Sequence, residues 1–192
     1  MNNKQFIIGI GGGSASGKTM FAKQLADALT ERNAKVLHMD DYFKPREFWP
    51  DGKAPITGKT YTDINHPDTL DLPRFKDDLA TAREDIVIAE GLFILADEDI
   101  YNKIDLKIFV DCQADERMVR RMRRYNTEWD NPPSVDLLLG ELSDFYLDLV
   151  RYRHGEYIEP FKWRADIILN GSKPSQRALE MVKRYVLDNI AV

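Results

Sequence analysis

Residues 12–19 read Gly-Gly-Ser-Ala-Ser-Gly-Lys-Thr and satisfy the pattern G-x-x-x-x-G-K-[ST] at every fixed position. The chemistry of that pattern is polyphosphate binding. Gly12, Gly13 and Gly17 permit the tight turns that aim successive backbone N–H groups at phosphate oxygens. Ser14, Ala15 and Ser16 complete the cradle, and the helix expected to follow adds partial positive charge at its N-terminus. Lys18 has the reach to touch the β- and γ-phosphates, and the Thr19 hydroxyl is suited to ligate Mg²⁺. The expected ligand is a nucleoside triphosphate, held with Mg²⁺.

Two acids fall where the reactive end of such a ligand would lie. Asp40 follows the run Lys35–His38, and open parallel sheets gather ligands beyond the carboxyl ends of their strands. It can take a proton from an attacking hydroxyl or hold water on Mg²⁺; a turn carboxylate is the plain alternative. Asp41 would point the other way in an extended chain. Ile86-Val87-Ile88-Ala89-Glu90-Gly91 is an apolar strand ending in an acid, so Glu90 joins Thr19 as the expected Mg²⁺ pair.

Arg117, Arg120, Arg121 and Arg124 recur at the spacing of one helix face, with Met118, Val119, Met122 and Tyr125 assigned to packing opposite. Four guanidinium groups so placed match a lid that neutralises a transferring phosphoryl group; a solvated basic face is the alternative. The spacing does not choose among the four. His66 stands just before a helix, where a substrate can meet its N-terminus, with Asp68 or Thr69 as a competing cap. His38 and His154 are expected to be structural or exposed, and the three histidines lack metal-ligand spacing. Asn102-Lys103-Ile104-Asp105 spells the guanine-reading N-K-x-D pattern but precedes a strand, and no D-x-x-G occurs in the chain, so the match is read as accidental.

These residues need a scaffold, and the hydrophobic pattern predicts one. Strand-like runs at 6–10, 35–38, 85–89, 106–110 and 166–169 alternate with helical spacing at 18–31, 69–82, 97–102, 114–125, 134–154 and 174–190. The expectation is an α/β chain with the P-loop NTPase fold: a five-stranded parallel sheet, helices on both faces and an Arg-rich helical lid. A single domain over 1–192 is expected, its lid near 114–154 and its substrate loop near 42–68. The stretch 44–67 is rich in proline, glycine and aromatics, which favours a functional loop over disorder. Ser134, after Pro132-Pro133, is a candidate N-cap. The apolar positions from Val135 to Tyr152 are expected to serve core or lid packing.

Bulk composition narrows the class. With 192 residues, 43% hydrophobic and 31% charged, the chain can bury a proper core. A formal net charge of −5 does not suggest a nucleic-acid partner. The single cysteine, Cys112, ends an apolar run and is expected to be buried, which excludes an internal disulfide and points to a reducing cytoplasm. No run has the layout of a signal peptide or the length of a membrane span, so a cytoplasmic protein with no membrane partner is expected.

Taken in order, these motifs resemble the uridine kinase/phosphoribulokinase family of P-loop kinases over most of the chain. Asp40-Asp41-Tyr42-Phe43 and Asn65-His66-Pro67-Asp68-Thr69-Leu70-Asp71 are similar to the family's D-x-[FY]-[FY] and D-H-P-x-x-x-D elements. Glu90-Gly91, Arg120 to Arg124, and His154 through Glu159-Pro160 to Ala165-Asp166-Ile167-Ile168 follow in the same order. The resemblance implies that Asp40 is the base toward a nucleoside 5′-hydroxyl and that Lys18, Thr19 and Glu90 handle phosphates and Mg²⁺. It places Phe43, Asn65, His66 and Arg124 at the acceptor, Arg121 and Arg124 in the lid, and Asn170-Gly171 near adenine. It is also compatible with a homo-oligomer.

Three departures bear on the acceptor. Asn65 replaces the family's ribose-binding Asp, although an amide also bonds to hydroxyls. The base-reading hairpin between the His-Pro element and the Glu-Gly strand is missing, and the lid lacks E-R-G-R. The short middle region and Asp-Asp-Tyr-Phe-Lys-Pro also resemble nicotinamide riboside kinases, and Phe48, Trp49 and Tyr61 are candidates to stack on a base. The function implied is phosphorylation of a small-molecule primary hydroxyl, foremost a uridine or cytidine 5′-hydroxyl. Nicotinamide riboside, or another acceptor of the same superfamily, is the alternative, with ATP as the implied phosphate donor in each case. A nucleotide-binding regulatory module without kinase activity is the alternative of another class.

Overall fold

The computed structural model describes residues 5–128 and 134–190. A five-stranded, all-parallel sheet runs through it in the order β2 (Ala34–His38), β5 (Ile86–Gly91), β1 (Phe6–Gly12), β6 (Leu106–Asp111), β7 (Ile167–Asn170). All five are the strands expected from the apolar runs. β5 is buried along its whole length, as a strand covered on both faces must be.

Side-chain alternation divides the sheet's residues between two cores. Ile8, Ile10, Ile86, Ile88 and Ile108 pack against α1 (Lys18–Ala28) and α8 (Gln176–Ile190), which contribute Leu25, Val182 and Val186. Val87, Ala89 and Phe109 face the other way, toward Phe75 and Leu79 of α2 (Leu72–Thr81) and Ile100 of α3 (Glu98–Tyr101). Glycine occupies β1 where that second layer crowds it: a Cβ on Gly9 would run into Ile104 Cδ1, and one on Gly11 would lie 3.0 Å from Leu95 Cγ.

Side chains mark the helix starts. Asp71 Oδ1 accepts from Arg74 N–H at 3.2 Å and Asp97 Oδ1 from Ile100 N–H at 3.0 Å. The Asp71 cap and the preceding 3₁₀ turn (Pro67–Thr69) explain why α2 begins at Leu72 rather than at 69. Ser134 caps as expected, accepting from Leu137 N–H at 3.2 Å.

The region expected to act as a lid comprises α4 (Ala114–Glu128) and a helical run over 135–157. That run consists of α5 (Val135–Leu137), α6 (Ser143–Phe145) and α7 (Arg151–Tyr157), joined by π turns at Leu138–Leu142 and Tyr146–Val150. Tyr146 and Leu149 are buried, whereas Val135 and Leu139 are exposed, so only part of the apolar stripe packs. Of the expected departure at 126–133, residues 129–133 lie outside the described residues.

The stretch 44–67, expected to be a functional loop, contains ordered structure. Two short strands, β3 (Asp51–Lys53) and β4 (Thr60–Thr62), pair antiparallel as a hairpin. The hairpin rests on the helical run. Tyr61 Oη donates to Asp148 Oδ2 at 2.7 Å, Thr57 Oγ1 donates to the same oxygen at 2.9 Å, and the Tyr61 ring lies 5.3 Å from Phe145.

Candidate active site

The phosphate loop leaves β1 through backbone conformations that only its residues tolerate well. Gly12 has φ +149° and Gly17 φ +102°, both in the region where a side chain is strained. Ala15, with φ +62°, is the one non-glycine residue at positive φ among the described residues. An L-residue held there costs free energy, and such outliers recur where a loop is shaped for a ligand. Gly17 is the N-cap of α1 and supplies no side-chain hydrogen bond, so the first-turn amides keep their capacity for an anion. Lys18 is 6% exposed and lines the cleft above the loop.

Thr19 and Glu90 meet at the mouth of the loop. Thr19 Oγ1 donates to Glu90 Oε1 at 3.0 Å. His38 Nδ1 lies 2.7 Å from the same oxygen. The second oxygen, Glu90 Oε2, is buried without a hydrogen-bond partner. An unpartnered buried carboxylate oxygen is costly unless something positive completes it. One hydroxyl, one carboxylate and no larger His/Cys/Asp/Glu cluster among the described residues suit Mg²⁺, which binds few protein groups and fills its shell with water and phosphate oxygens. The residues therefore fit the dication.

A cleft of about 650 Å³ brings the expected site together. Ser14, Ala15, Gly17, Lys18 and Thr19 form its floor; Asp40, Phe43 and Asn65 lie on one side; Arg120, Arg121 and Arg124 lie on another. Asp40 sits in a 3₁₀ turn (Met39–Tyr42) rather than an extended chain. That turn still separates it from Asp41, which does not line the cleft. The turn is anchored behind by Tyr42, whose ring meets Phe75 edge-on at 5.1 Å and whose hydroxyl donates to Asp78 Oδ2 at 2.6 Å. Burial and that carboxylate push the Tyr42 phenol up to about 12. A bridge between Phe43 and Leu70, with Asp71 N–H donating to Tyr42 O at 2.8 Å, ties the Asp40 turn to the Asn65 segment.

The four arginines separate into different jobs. Arg117 does not reach the cleft: its Nε donates to Cys112 O at 3.0 Å and Nη1 to His154 Nδ1 at 3.2 Å. Arg120 Nη1 donates to Gly171 O at 3.0 Å and bridges α4 to the loop after β7. Arg121 is buried, with Nε donating to Tyr125 Oη at 2.5 Å, and Arg124 Nη2 donates to Ser14 Oγ at 3.2 Å. The assignment of the opposite face to packing needs correction: Arg117 and Arg121 are buried while Val119 is 49% exposed, and Tyr125 lines the cleft beside the arginines. Guanidiniums turn inward here because backbone carbonyls, a ring nitrogen and a phenol meet their hydrogen bonds.

His66 and three aromatics are placed elsewhere. His66 is itself the cap, its Nδ1 accepting from Asp68 N–H at 3.1 Å, and its ring meets Tyr157 edge-on at 5.3 Å. It does not line the cleft. Trp49 packs on Phe43, Tyr61 on Phe145, and Phe48 is exposed; Phe43 is the aromatic of that stretch that borders the cleft, with Ile64 and Leu92.

A second, apolar recess of about 200 Å³ adjoins the loop between Met20, Phe21 and Gln24 of α1 and the Asn170-Gly171 turn. Its lining is mostly apolar, and it adjoins the phosphate cradle through Ser16 and Gly17. Asp105 of the N-K-x-D match instead accepts from Ile7 N–H at 2.9 Å and stitches β1 in place. Cys112 is buried as expected, and burial raises its thiol pKa.

Sequence reasoning missed three groups: His38 against Glu90, Tyr125 against Arg121, and Asp63, which is fully buried. The Tyr125 contact had a signal in its four-residue spacing from Arg121. The other two are made across the fold.

Residues 59–176 match the sequence model of the Phosphoribulokinase / Uridine kinase family. A uridine kinase of Bacillus cereus (strain B4264) is 30% identical over 206 residues, covering 94% of this chain and 92% of its own. A uridine kinase of Geobacillus kaustophilus is 28% identical over 221 residues, covering 100% of both. The structure of a possible uridine kinase from Bacillus stearothermophilus shares the fold, with a TM-score of 0.56 at 18% identity over 88% of this chain and 91% of that one. Shikimate kinase from Bacteroides thetaiotaomicron does so with a TM-score of 0.56 at 17% identity, over 97% and 99%.

Proposed function

The chain belongs to the phosphoribulokinase/uridine kinase family, and from that premise we propose that it transfers the γ-phosphate of ATP to a primary hydroxyl, foremost the 5′-hydroxyl of a ribonucleoside such as uridine or cytidine. The observation that carries this reading is the shared cleft: Asp40 and Asn65 face the same space as Lys18, Thr19, Arg121 and Arg124. A carboxylate opposite a phosphate cradle is what in-line transfer to a hydroxyl requires.

In this reading the loop amides and Lys18 hold the β- and γ-phosphates. Thr19 and Glu90 hold Mg²⁺, which supplies charge neutralisation on the phosphate oxygens when bound. Asp40 accepts the proton of the attacking hydroxyl. Arg121 and Arg124 offset the charge that spreads over the transferring group, and α4, which carries both, excludes water when it closes. The apolar recess beside Asn170-Gly171 takes the adenine. Asn65 binds acceptor hydroxyls, and Phe43 with Ile64 and Leu92 gives the acceptor an apolar wall. His66, hydrogen-bonded as a cap, acts on the acceptor only through the backbone it holds. The single buried cysteine suits a reducing cytoplasm, and no helix among the described residues is long and apolar enough to cross a membrane.

ADP release from ATP·Mg²⁺ against uridine, cytidine, nicotinamide riboside, pantothenate and ribulose 5-phosphate tests the proposal. Strong stimulation by uridine or cytidine is expected. Stimulation by nicotinamide riboside alone moves the acceptor and keeps the residue roles. Nucleotide binding with no stimulation by any acceptor overturns the kinase reading in favour of a regulatory module.

A further inference from the structure

Asp63 has no solvent exposure, yet it carries a carboxylate into the wall behind the acceptor side of the cleft. Arg153 of α7 meets it, Nε donating to Asp63 Oδ2 at 2.6 Å. The other oxygen, Oδ1, accepts from the backbone N–H of Asn65 at 3.1 Å. Asp63 N–H donates to Pro50 O at 2.8 Å, and a Cβ on Gly52 would lie only 2.7 Å from Asp63 Oδ2, so the β3 turn closes over the pair. Arg153 is held in turn by Glu156 at 2.6 Å and stacks over Tyr157 at 5.5 Å. Two residues along from Asp63, Asn65 borders the cleft with its side-chain Nδ2 buried and without a partner. A buried donor left unpaired is tolerated where a ligand oxygen completes it.

We propose that Asp63 and Arg153 are positioning residues for phosphoryl acceptance. Their ion pair holds the Asn65 backbone so that its amide meets an oxygen of the acceptor, and it links that contact to the helical run over 135–157. This rests on the acceptor-kinase reading above. The chain of contacts is continuous: Arg153 neutralises Asp63, Asp63 fixes the Asn65 amide, and Asn65 lines the cleft. Neither residue touches the phosphate loop in this arrangement, so the pair separates acceptor binding from nucleotide binding. Removing Arg153 strands a buried charge, whereas removing both charges together need not cost stability.

The test compares Arg153→Met with two double variants, Asp63→Asn/Arg153→Met and Asp63→Ala/Arg153→Met. In Arg153→Met the acceptor KM should rise roughly tenfold or more, as misplacement of a positioning group does, while the ATP KM and acceptor-free ATP hydrolysis stay near wild type. The Asn double variant keeps an oxygen for Asn65 N–H and should recover acceptor KM; the Ala double variant should not. Amide hydrogen exchange at Asn65, read with no acceptor present, should accelerate in Arg153→Met and in the Ala double variant but stay slow in the Asn one. If Arg153→Met does not fold, the two double variants, free of a stranded charge, decide the matter. Equal acceptor KM and equal exchange in the two double variants, or parallel rises in both KM values, overturn the inference. A wild-type protein stimulated by no acceptor instead defeats the proposed function, and the exchange measurement still judges the pair.

Discussion

His38 Nδ1 lies 2.7 Å from Glu90 Oε1, the same carboxylate oxygen that accepts the Thr19 hydroxyl at 3.0 Å. The contact follows from sheet register: β2 and β5 are parallel neighbours with His38 opposite Glu90 at their carboxyl ends. Two groups satisfy one oxygen, and the other is buried without a hydrogen-bond partner. His38, expected from the sequence to be structural or exposed, thereby orients the proposed metal carboxylate, as partners behind metal ligands commonly do.

Glu90→Gln keeps the shape of this carboxylate and removes its charge. Turnover should fall by about 10²–10³-fold, the scale on which a lost electrostatic stabiliser acts, with the Mg²⁺ dependence moved to higher concentration. Titrating ADP release with Mg²⁺ checks it, and an unchanged Mg²⁺ midpoint would contradict the role given to Glu90.

Asp40→Asn removes the proposed base without opening space. A drop in kcat of about 10²–10⁴-fold is expected for loss of general-base catalysis, while affinity for a fluorescent ATP analogue remains within a few-fold. Wild-type turnover in this variant would remove Asp40 from the mechanism.

Gly13→Ala tests how tightly α4 and α7 are anchored on the phosphate loop. The added Cβ would lie 2.6 Å from Arg117 Nη1 and 2.9 Å from His154 Cε1. Neither group can yield freely, because Arg117 also bonds Cys112 O and His154 Nε2 bonds Glu159 Oε2 at 3.0 Å. A loss of about 1–3 kcal/mol is expected for such overpacking, or several degrees in Tm for a chain of this size. Thermal unfolding at wild-type Tm would show that the anchor is loose.

His154 should give stability a pH-dependent limb. Its ring is held between a donor, Arg117 Nη1 at Nδ1, and an acceptor, Glu159 Oε2 at Nε2, which suits the neutral tautomer with the proton on Nε2. Burial first, then the charge of Arg117, lowers its pKa below the ordinary 6.5, although Glu159 and Asp111 oppose the shift. The sign follows: above pH 6.5 the ring is neutral in both folded and unfolded chains. As pH falls through 6.5 the unfolded chain binds the proton first, so stability declines until the lowered folded value is reached. Urea unfolding from pH 8 to 5 should show this decline in wild type and a weaker one in His154→Asn. The same pH dependence in both proteins would exclude the ring as its source.

Much of the site was legible because its parts are local. The phosphate loop needs eight consecutive residues, Asp40 follows β2 and Glu90 lies near the end of β5, and parallel strands deliver their carboxyl ends to one edge. The strand and helix order was legible for the same reason, since periodicity is a property of neighbours along the chain. His66 shows the limit of that logic: a histidine before Pro-Asp-Thr reads equally as cap or ligand, and only its hydrogen bond to Asp68 N–H distinguishes them.

The sequence by itself determined the polyphosphate cradle, the parallel α/β order and the two acids at the strand ends, all of which depend on residue type and short spacing. Tertiary structure alone decided which arginines face the cleft, that Trp49 and Tyr61 pack rather than line it, and that Asp63, 90 residues from Arg153 in sequence, is charged within a closed wall. Those outcomes depend on which surfaces remain after the helices and the β3–β4 hairpin dock. Burying a charge or a ring is favourable only if a partner from a distant part of the chain arrives at hydrogen-bonding or van der Waals distance.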